Sequence, residues 1–265
     1  DSVMFYRFGM SALVLGVWLL IRRHDLKVTL RELGVLAGLG LFYSLTALLL
    51  TTSYLYIPSG IATTIHFLYP VVVTLVMILF FKDRVSLPLL IAIAMAISGV
   101  YLLSYSGSEG TVSLKGLMLV LTTVITYALY IVGVNKSNVS KMDGLKLTFY
   151  VLFVGAIVFG LNLLIKGQPL ELAPDMDTWI HLFLLALIPT LVSDFTLVLA
   201  VQHVGSTTTA VLGCMEPMTA VAMGVLVFEE QLGFWQFMGM AIILLAVSVV
   251  ILANSKERMP VIENN

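Results

Sequence analysis

The sequence predicts an all-α integral membrane protein built as two inverted five-helix repeats, ten helices of which nine fall within this chain. Three observations predict it. Nine apolar runs, each long enough to cross a bilayer, fill almost all of the 265 residues. Lysine and arginine crowd into alternate loops. A shift of 147 residues brings the first half of the chain into register with the second.

Hydrophobic residues make up 60% of the chain and charged residues 11%, with a mean hydropathy of +1.05. Soluble domains carry roughly 25% charged residues. A helix crossing the hydrocarbon core needs about 20 apolar residues. The runs that qualify are 3–21, 33–54, 60–81, 85–104, 116–134, 147–165, 178–202, 206–228 and 233–253. Six of these nine hold no Asp, Glu, Lys or Arg. Their Leu, Ala, Gly and Met content fits helices, not barrel strands, which alternate polar and apolar residues. A net charge of −1 suggests no nucleic-acid partner. The single cysteine, Cys214, lies inside an apolar run, which leaves no disulfide framework and no cysteine metal cluster. No metal site, cofactor or catalytic residue is expected, because the chain has no H-E-x-x-H, P-loop or G-x-S-x-G motif. An ATP-driven pump is thereby excluded unless a partner supplies the ATPase.

Taken in order, the runs carry few polar groups, and each has more than one reading. Arg7 lies near the outer end of the first run. It either binds a substrate carboxylate with its planar fork or snorkels to the interface. The second run opens on Gly34, Gly38 and Gly40, a spacing that allows close helix packing, and carries Tyr43. In the third run Thr63, His66 and Pro70 share one face at spacings of three and four, beside Tyr69. His66 titrates near neutrality, or it is a hydrogen-bonded packing residue. Tyr127, Tyr130 and Tyr150 on the fifth and sixth runs give aromatic walls with polar tips, or ordinary packing and anchoring.

The last runs hold the acids. Asp194 follows Pro189 by five residues, and Pro189 should kink its helix. Asp194 either pairs with Arg7, shares a proton with Glu216, or is a neutral acid bonded to Ser193 or Thr196. Glu216 sits at mid-depth beside Pro217, which removes one backbone donor from the carbonyl of Gly213. It is a cation, amine or proton site, or a hydrogen bond that holds the kink. Ionisable groups inside apolar runs cost at least ~2.5 kcal/mol near the bilayer centre and usually mark a pathway or an internal pair.

Charge sets the orientation. Arg22, Arg23, Lys27, Arg31, Lys82, Arg84, Lys136, Lys141, Lys146, Lys256 and Arg258 fall in one set of loops, and only Lys115 and Lys166 in the other. Basic loops stay cytoplasmic. The first run therefore goes from outside to inside and the C-terminal tail, 254–265, is cytoplasmic. Glu109, Glu171, Asp175, Asp177, Glu229 and Glu230 mark the outer loops.

The 147-residue shift places Ser59 on Ser206, Pro70 on Pro217, Leu79 on Leu226, Phe81 on Phe228, Ala94 on Ala241 and Val100 on Val247. Tyr69 falls on Glu216, and the exit Asp83 on Glu230. Run 147–165 then maps on run 3–21, and run 116–134 maps before residue 1. A first helix is expected to precede this chain, which opens on Asp. Units of five helices are antiparallel, in agreement with a basic exit at Lys82 and Arg84 and an acidic one at Glu229–Glu230. The repeats are placed at 1–104 and 114–253, with an extracellular linker at 105–113. Duplicated, mostly apolar units of this kind are a transporter architecture.

These residues carry a family resemblance: Phe5-Tyr6-Arg7-Phe8, Tyr54-x-Tyr56-Ile57-Pro58-Ser59-Gly60, Tyr69-Pro70, Gly205-Ser206, Glu216-Pro217 and Phe228-Glu229-Glu230. With them the chain resembles an EamA-type member of the drug/metabolite transporter superfamily over its whole length. The resemblance implies ten helices in two inverted repeats, a central substrate cavity, alternating access and export. The chain departs from the family in lacking the first helix and in Lys82-Asp83-Arg84, where the family commonly has Glu.

The resulting expectation is a secondary transporter of the plasma membrane that carries small metabolites, amino acids or amphipathic compounds. Its substrate-binding residues are Arg7, Tyr43, Thr63, His66, Tyr69, Tyr127, Tyr130, Asp194 and Glu216. Protons couple through Glu216 or Asp194, and Pro70, Pro189 and Pro217 act as hinges. Its partners are the lipid bilayer, a small-molecule substrate and protons. A monomer and a homodimer both stay open. The rival classes are a membrane receptor or assembly subunit that moves nothing, and a lipid flippase.

Overall fold

Apolar residues with a high share of Leu, Ala and Met leave the backbone no polar partner in lipid except itself, so the chain closes its hydrogen bonds within helices. The computed structural model describes residues 2–57, 59–82, 86–104, 113–167, 169–213, 215–216, 219 and 233–258. Among these there is no strand. The helices are α1 (Ser2–Ile21), α2 (Leu30–Ser53), α3 (Ser59–His66), α4 (Tyr69–Phe81), α5 (Leu87–Ser104), α6 (Leu114–Lys136), α7 (Gly144–Ile165), α8 (Met176–Ala186), α9 (Ser193–Val204), α10 (Ser206–Leu212) and α11 (Phe234–Arg258). A π-helical turn, Leu187–Val192, joins α8 to α9 without a break in the rod.

Helices α1, α2, α6, α7 and the continuous stretch Met176–Val204 are long and apolar enough to cross a membrane. Shorter apolar stretches occupy Tyr69–Phe81, Leu87–Leu102 and Phe237–Ala246. The outward faces are apolar too: Leu13, Leu20, Phe80 and Ile165 are 66–85% exposed. Such a surface fits hydrocarbon, not water.

The helix ends follow local chemistry. Thr29 and Glu32 form a reciprocal capping box at the start of α2, with Thr29 N–H to Glu32 Oε2 at 2.7 Å and Glu32 N–H to Thr29 Oγ1 at 3.3 Å. Asp143 caps α7 by accepting from the Lys146 amide at 3.0 Å, and Asp175 caps α8 by accepting from Thr178 at 2.7 Å. Gly205 ends α9 at φ 88°, where a side chain would be strained.

The third run, expected as one kinked helix over 60–81, is two helices. Phe67 and Leu68 form a turn between α3 and α4. Pro70 has no N–H to offer the carbonyl of His66, so the helix restarts with Tyr69-Pro70 in its first turn. The face expected to join Thr63, His66 and Pro70 therefore stops at His66. The run at 206–228 is likewise interrupted. Helix α10 ends at Leu212, with Gly213 in a turn. The rest of that run from 220 onward, Pro217, Cys214, Asp83, Arg84, Glu109, Glu229 and Glu230 lie outside the described residues. Helix starts keep the 147-residue offset: Ser59 and Ser206 (206 − 59 = 147), Leu87 and Phe234 (234 − 87 = 147).

The chain forms two compact units, each drawing on both halves of the sequence. The first unit is residues 1–49 and 129–206. In it Phe5 packs at Gly160, Phe8 at Gly155 and Phe149 at Gly16, so α1 and α7 run antiparallel. Phe8, Ala12, Leu15, Leu19, Leu152, Phe159 and Leu191 make its core. Of the three glycines expected to bring α2 close to a neighbour, only Gly40 does so. A Cβ there would lie 2.6 Å from Val154, whereas Gly34 and Gly38 have open space. Tyr150 donates to the Leu26 carbonyl at 2.7 Å and pins the loop before α2.

The second unit is residues 50–128 and 207–265. In it α5 packs on α11, where Gly99 lets the carbonyl of Gly239 and the side chain of Ile243 approach to 2.9 and 2.6 Å of a Cβ position. Ile57, Ala62 and Val120 form a small core between the start of α3 and α6. Close backbone contact over small residues is what drives helix association in lipid, where burial from water contributes nothing between helices.

Candidate functional site

Pro189 shapes the polar site of the first unit. Its missing N–H deprives the Leu185 carbonyl of an α-helical partner. The hydroxyl of Thr190 donates to that carbonyl instead, at 2.9 Å, inside the π turn. Thr190 Oγ1 in turn accepts from Arg7 Nε at 3.1 Å. One turn along α1, Ser11 Oγ lies 2.7 Å from the Ala186 carbonyl and 2.6 Å from the Arg7 carbonyl, and its single proton serves one or the other. Two polar side chains of α1 thus face the segment around Pro189, Arg7 through the Thr190 hydroxyl and Ser11 beside the Ala186 carbonyl. The Arg7 guanidinium bonds Thr190 and the Met4 sulfur, the latter at 3.8 Å.

The π turn also sets the face on which Asp194 emerges, because one inserted residue turns the following helix by about 100°. Asp194 is 1% exposed, and its Oδ1 accepts from the Tyr130 hydroxyl at 2.7 Å. Its Oδ2 is buried and has no hydrogen-bond partner among the described residues. Neither Arg7 nor Ser193 nor Thr196 is that partner: Thr196 donates to the carbonyls of Val192 and Ser193, both at 2.9 Å. Tyr130 lies against Tyr43 at 4.9 Å between ring centroids, and Tyr43 against Phe8 at 5.6 Å. Helices α1, α2, α6 and α9 therefore join Phe8, Tyr43, Tyr130 and Asp194 into one aromatic-acid file.

The second unit gathers another set. His66 is 8% exposed, and its Nδ1 lies 2.9 Å from Thr123 Oγ1 on α6. Its ring sits 5.6 Å from Tyr69 and 5.3 Å from Tyr127. The two tyrosines meet edge to face at 4.7 Å. The Tyr69 hydroxyl fills the place a side chain at Gly213 would take. Thr63 spends its hydroxyl on the Ser59 carbonyl at 2.7 Å and stands outside this group. Glu216 has an exposed side chain, and its amide donates to Gly213 at 3.0 Å.

Residues of the candidate set thus fall into two groups, Tyr43–Tyr130–Asp194 and His66–Tyr69–Tyr127, while Arg7 serves the helix break. Sequence reading missed Thr190, Ser11 and Thr123. The one available signal was Thr190 following Pro189, a hydroxyl placed beside a backbone carbonyl that needs a donor. Among the described residues no group of His, Cys, Asp and Glu could hold a metal ion.

Comparisons with known proteins point in one direction. The model of the EamA-like transporter family matches residues 2–105 and 114–252. The chain is similar to an uncharacterized transporter of Synechocystis, 26% identical over 219 residues, which are 80% of this chain and 65% of that protein. It is also similar to the uncharacterized transporter YvbV of Bacillus subtilis, 26% identical over 167 residues, 60% of this chain and 52% of that protein. The chain thus spans about two thirds of the first relative and half of the second. A crystal structure of a protein 15% identical superposes with a TM-score of 0.81 over 97% of this chain and 89% of that one, a likeness of fold.

Proposed function

The chain belongs to the EamA-like transporter family, and from that membership we propose that it is a secondary transporter whose flux of a small metabolite, amino acid or amphipathic compound is coupled to protons at Asp194. The observation that carries the reading is the carboxyl group of Asp194, with one oxygen on Tyr130 and the other buried without a partner. A carboxylate sealed in a low-dielectric interior without a second donor is costly. Taking up and losing a proton there requires the surroundings to open, which is the linkage a proton-coupled carrier uses.

Alternating access between two inverted repeats is the mechanism we attach to this site. Phe8 and Gly155 support it. They are 147 residues apart (155 − 8 = 147) and meet directly where α1 crosses α7 antiparallel, as two-fold-related positions on an axis would. Pro70 and Pro189 sit at interruptions of the α-helical ladder and serve as compliant points, with Pro217 assigned the same role from its position in the repeat. Plasma-membrane location, a cytoplasmic C-terminus and export rest on loop charge and family membership.

The test is reconstitution in liposomes with a labelled pool of amino acids and metabolites, with and without a pH gradient. Uptake should rise with the gradient, and Asp194→Asn should flatten that dependence while leaving exchange at equal pH. Glu216→Gln is the companion variant. Gradient dependence that persists in Asp194→Asn and vanishes in Glu216→Gln moves the coupling to Glu216. No uptake of any soluble solute overturns transport in favour of a receptor, and flux of labelled lipid alone favours a flippase.

A further inference from the structure

An apolar groove of about 290 Å³ lies on the outward face of the first unit, and its walls expose no polar atom. Val14 and Trp18 of α1, Leu145 of α7, Leu187 and Leu191 of the π turn and Phe195 of α9 line it. Leu187 to Phe195 is about 12 Å of helix, against about 15 Å for one leaflet of the hydrocarbon core. The groove also keeps to one half of the bilayer. Leu187 lies eleven residues into the 29-residue stretch Met176–Val204 (187 − 176 = 11), near mid-depth. Trp18 is three residues from the end of α1 (21 − 18 = 3), and Leu145 follows the first residue of α7.

Basic groups collect at that end. Helix α1 closes with backbone bonds from the His24 amide to the Leu19 carbonyl at 2.9 Å and from the Arg23 amide to the Leu20 carbonyl at 3.0 Å. This closure needs a left-handed residue, and the chain uses Arg23, at φ 53°, where glycine is usual. The chain thereby doubles back over the last turn of α1. The Arg22 guanidinium lies 5.7 Å from the centroid of the Trp18 ring, and the His24 ring lies 5.7 Å from the same ring. Arg22 and Arg23 are exposed, and neither has a carboxylate partner among the described residues. The acids of these segments are engaged on backbone amides: Asp25 with Lys27, Glu32 with Thr29, Asp143 with Lys146. Lys146, next to Leu145, donates its ammonium to the Lys27 carbonyl at 2.6 Å and adds its charge to the same edge.

We propose that this groove binds one anionic glycerophospholipid of the cytoplasmic leaflet, with an acyl chain along Leu187, Leu191 and Phe195 and the phosphate on Arg22 and Arg23. The groove alone accepts any acyl chain, because apolar surface is equally at home against protein or lipid. The basic mouth supplies the selection for a headgroup of net negative charge. Trp18 stands between the two parts, at the level where an indole ring meets headgroups. A chain packed on Leu187 and Leu191 supports the π turn, which links the lipid to the element that aims Asp194. The proposal rests on the membrane-spanning reading with the basic loops inward, and it does not need the protein to transport anything.

The test is tryptophan quenching with the full chain in bilayers. A protein with Trp18 as its one tryptophan, made by Trp179→Phe and Trp235→Phe, is reconstituted in phosphatidylcholine. The bilayer carries a small fraction of dibrominated phosphatidylglycerol or, in parallel, dibrominated phosphatidylcholine, and bromine quenches the tryptophan it contacts. Trp18 should prefer phosphatidylglycerol about five- to thirtyfold, the effect of one to two basic side chains, and less in high salt. Arg22→Gln with Arg23→Gln should bring the preference to within about twofold. Arg22→Lys with Arg23→Lys should retain most of it, which separates charge from folding. Val14→Phe fills the groove, leaves the basic residues in place, and should lower the preference as far as the glutamine pair does. A protein with Trp235 alone, by Trp18→Phe and Trp179→Phe, has its tryptophan after the acidic Glu229–Glu230 and should show none. No preference at Trp18, a preference unchanged in the glutamine pair or in Val14→Phe, or an equal preference at Trp235 overturns the proposal. Flux is read separately: lipid selection without uptake of any solute sinks the transporter reading and leaves the lipid site, and uptake without selection does the reverse.

Discussion

Asp194 accepts one hydrogen bond in a place where a carboxyl group has room for several, and Arg7 holds a threonine instead of an acid. Both were legible as outliers, since an ionisable group in an apolar run is costly enough to need a reason. Their partners were not legible, because Tyr130 stands 64 positions from Asp194 and Thr190 stands 183 from Arg7. The pairing of Thr190 has a direct consequence. Thr190→Val keeps the shape but removes both the donor to Leu185 and the acceptor for Arg7, leaving a part-buried guanidinium nitrogen short of a partner. Thermal denaturation in detergent should show a loss of about 1–2 kcal/mol. An unchanged midpoint would mean that water already serves both groups.

At the scale of elements, the break at Pro189 decides which face α9 presents. Pro189→Ala restores a backbone donor to the Leu185 carbonyl and favours an α-helical ladder over the π turn. The expected result is a protein as stable as the parent, by the same denaturation assay, whose proton-coupled flux is lost because Asp194 turns away from Tyr130. Full flux in Pro189→Ala would show that the π turn is not what aims Asp194. The neighbouring N-cap has its own pH dependence. The Thr178 backbone amide, and a side-chain hydrogen bond from the same residue, hold the Asp175 carboxyl below its ordinary value. A lowered folded-state pKa means that the cap contributes fully above the unfolded carboxylate value of about 3.9, and that this contribution is lost as pH falls through the lower folded value. Hydrogen exchange at the first turn of α8, corrected for intrinsic rates, should be flat from neutral pH to about pH 4 and rise below it. In Asp175→Ala it should be raised already at neutral pH and should not rise further as the pH falls below about 4.

At the scale of the whole molecule, the unequal split of basic residues between alternate loops predicts one orientation. In a Cys214→Ala background, a cysteine in place of the exposed Asn138 should react with an impermeant maleimide only in opened cells or inverted vesicles. One in place of Leu172, 75% exposed, should react in intact cells. The opposite pattern would reverse the topology and, with it, the sense of transport.

Sequence alone determined that the chain is helical and apolar enough for lipid, and which ionisable residues stand out. These features depend on neighbours within a few positions or on composition, and a sequence displays both. The tertiary structure alone decided that run 60–81 becomes two helices, and that Gly40 but not Gly34 or Gly38 meets another helix. It also decided that Arg7 belongs to the helix break, and that each compact unit joins helices from both halves of the chain. In lipid, apolar surface is equally at home against a neighbour or against acyl chains. The hydropathy pattern therefore carries no instruction about which helices pair. That choice falls to close contacts over small residues and to single hydrogen bonds, made between residues far apart in the chain.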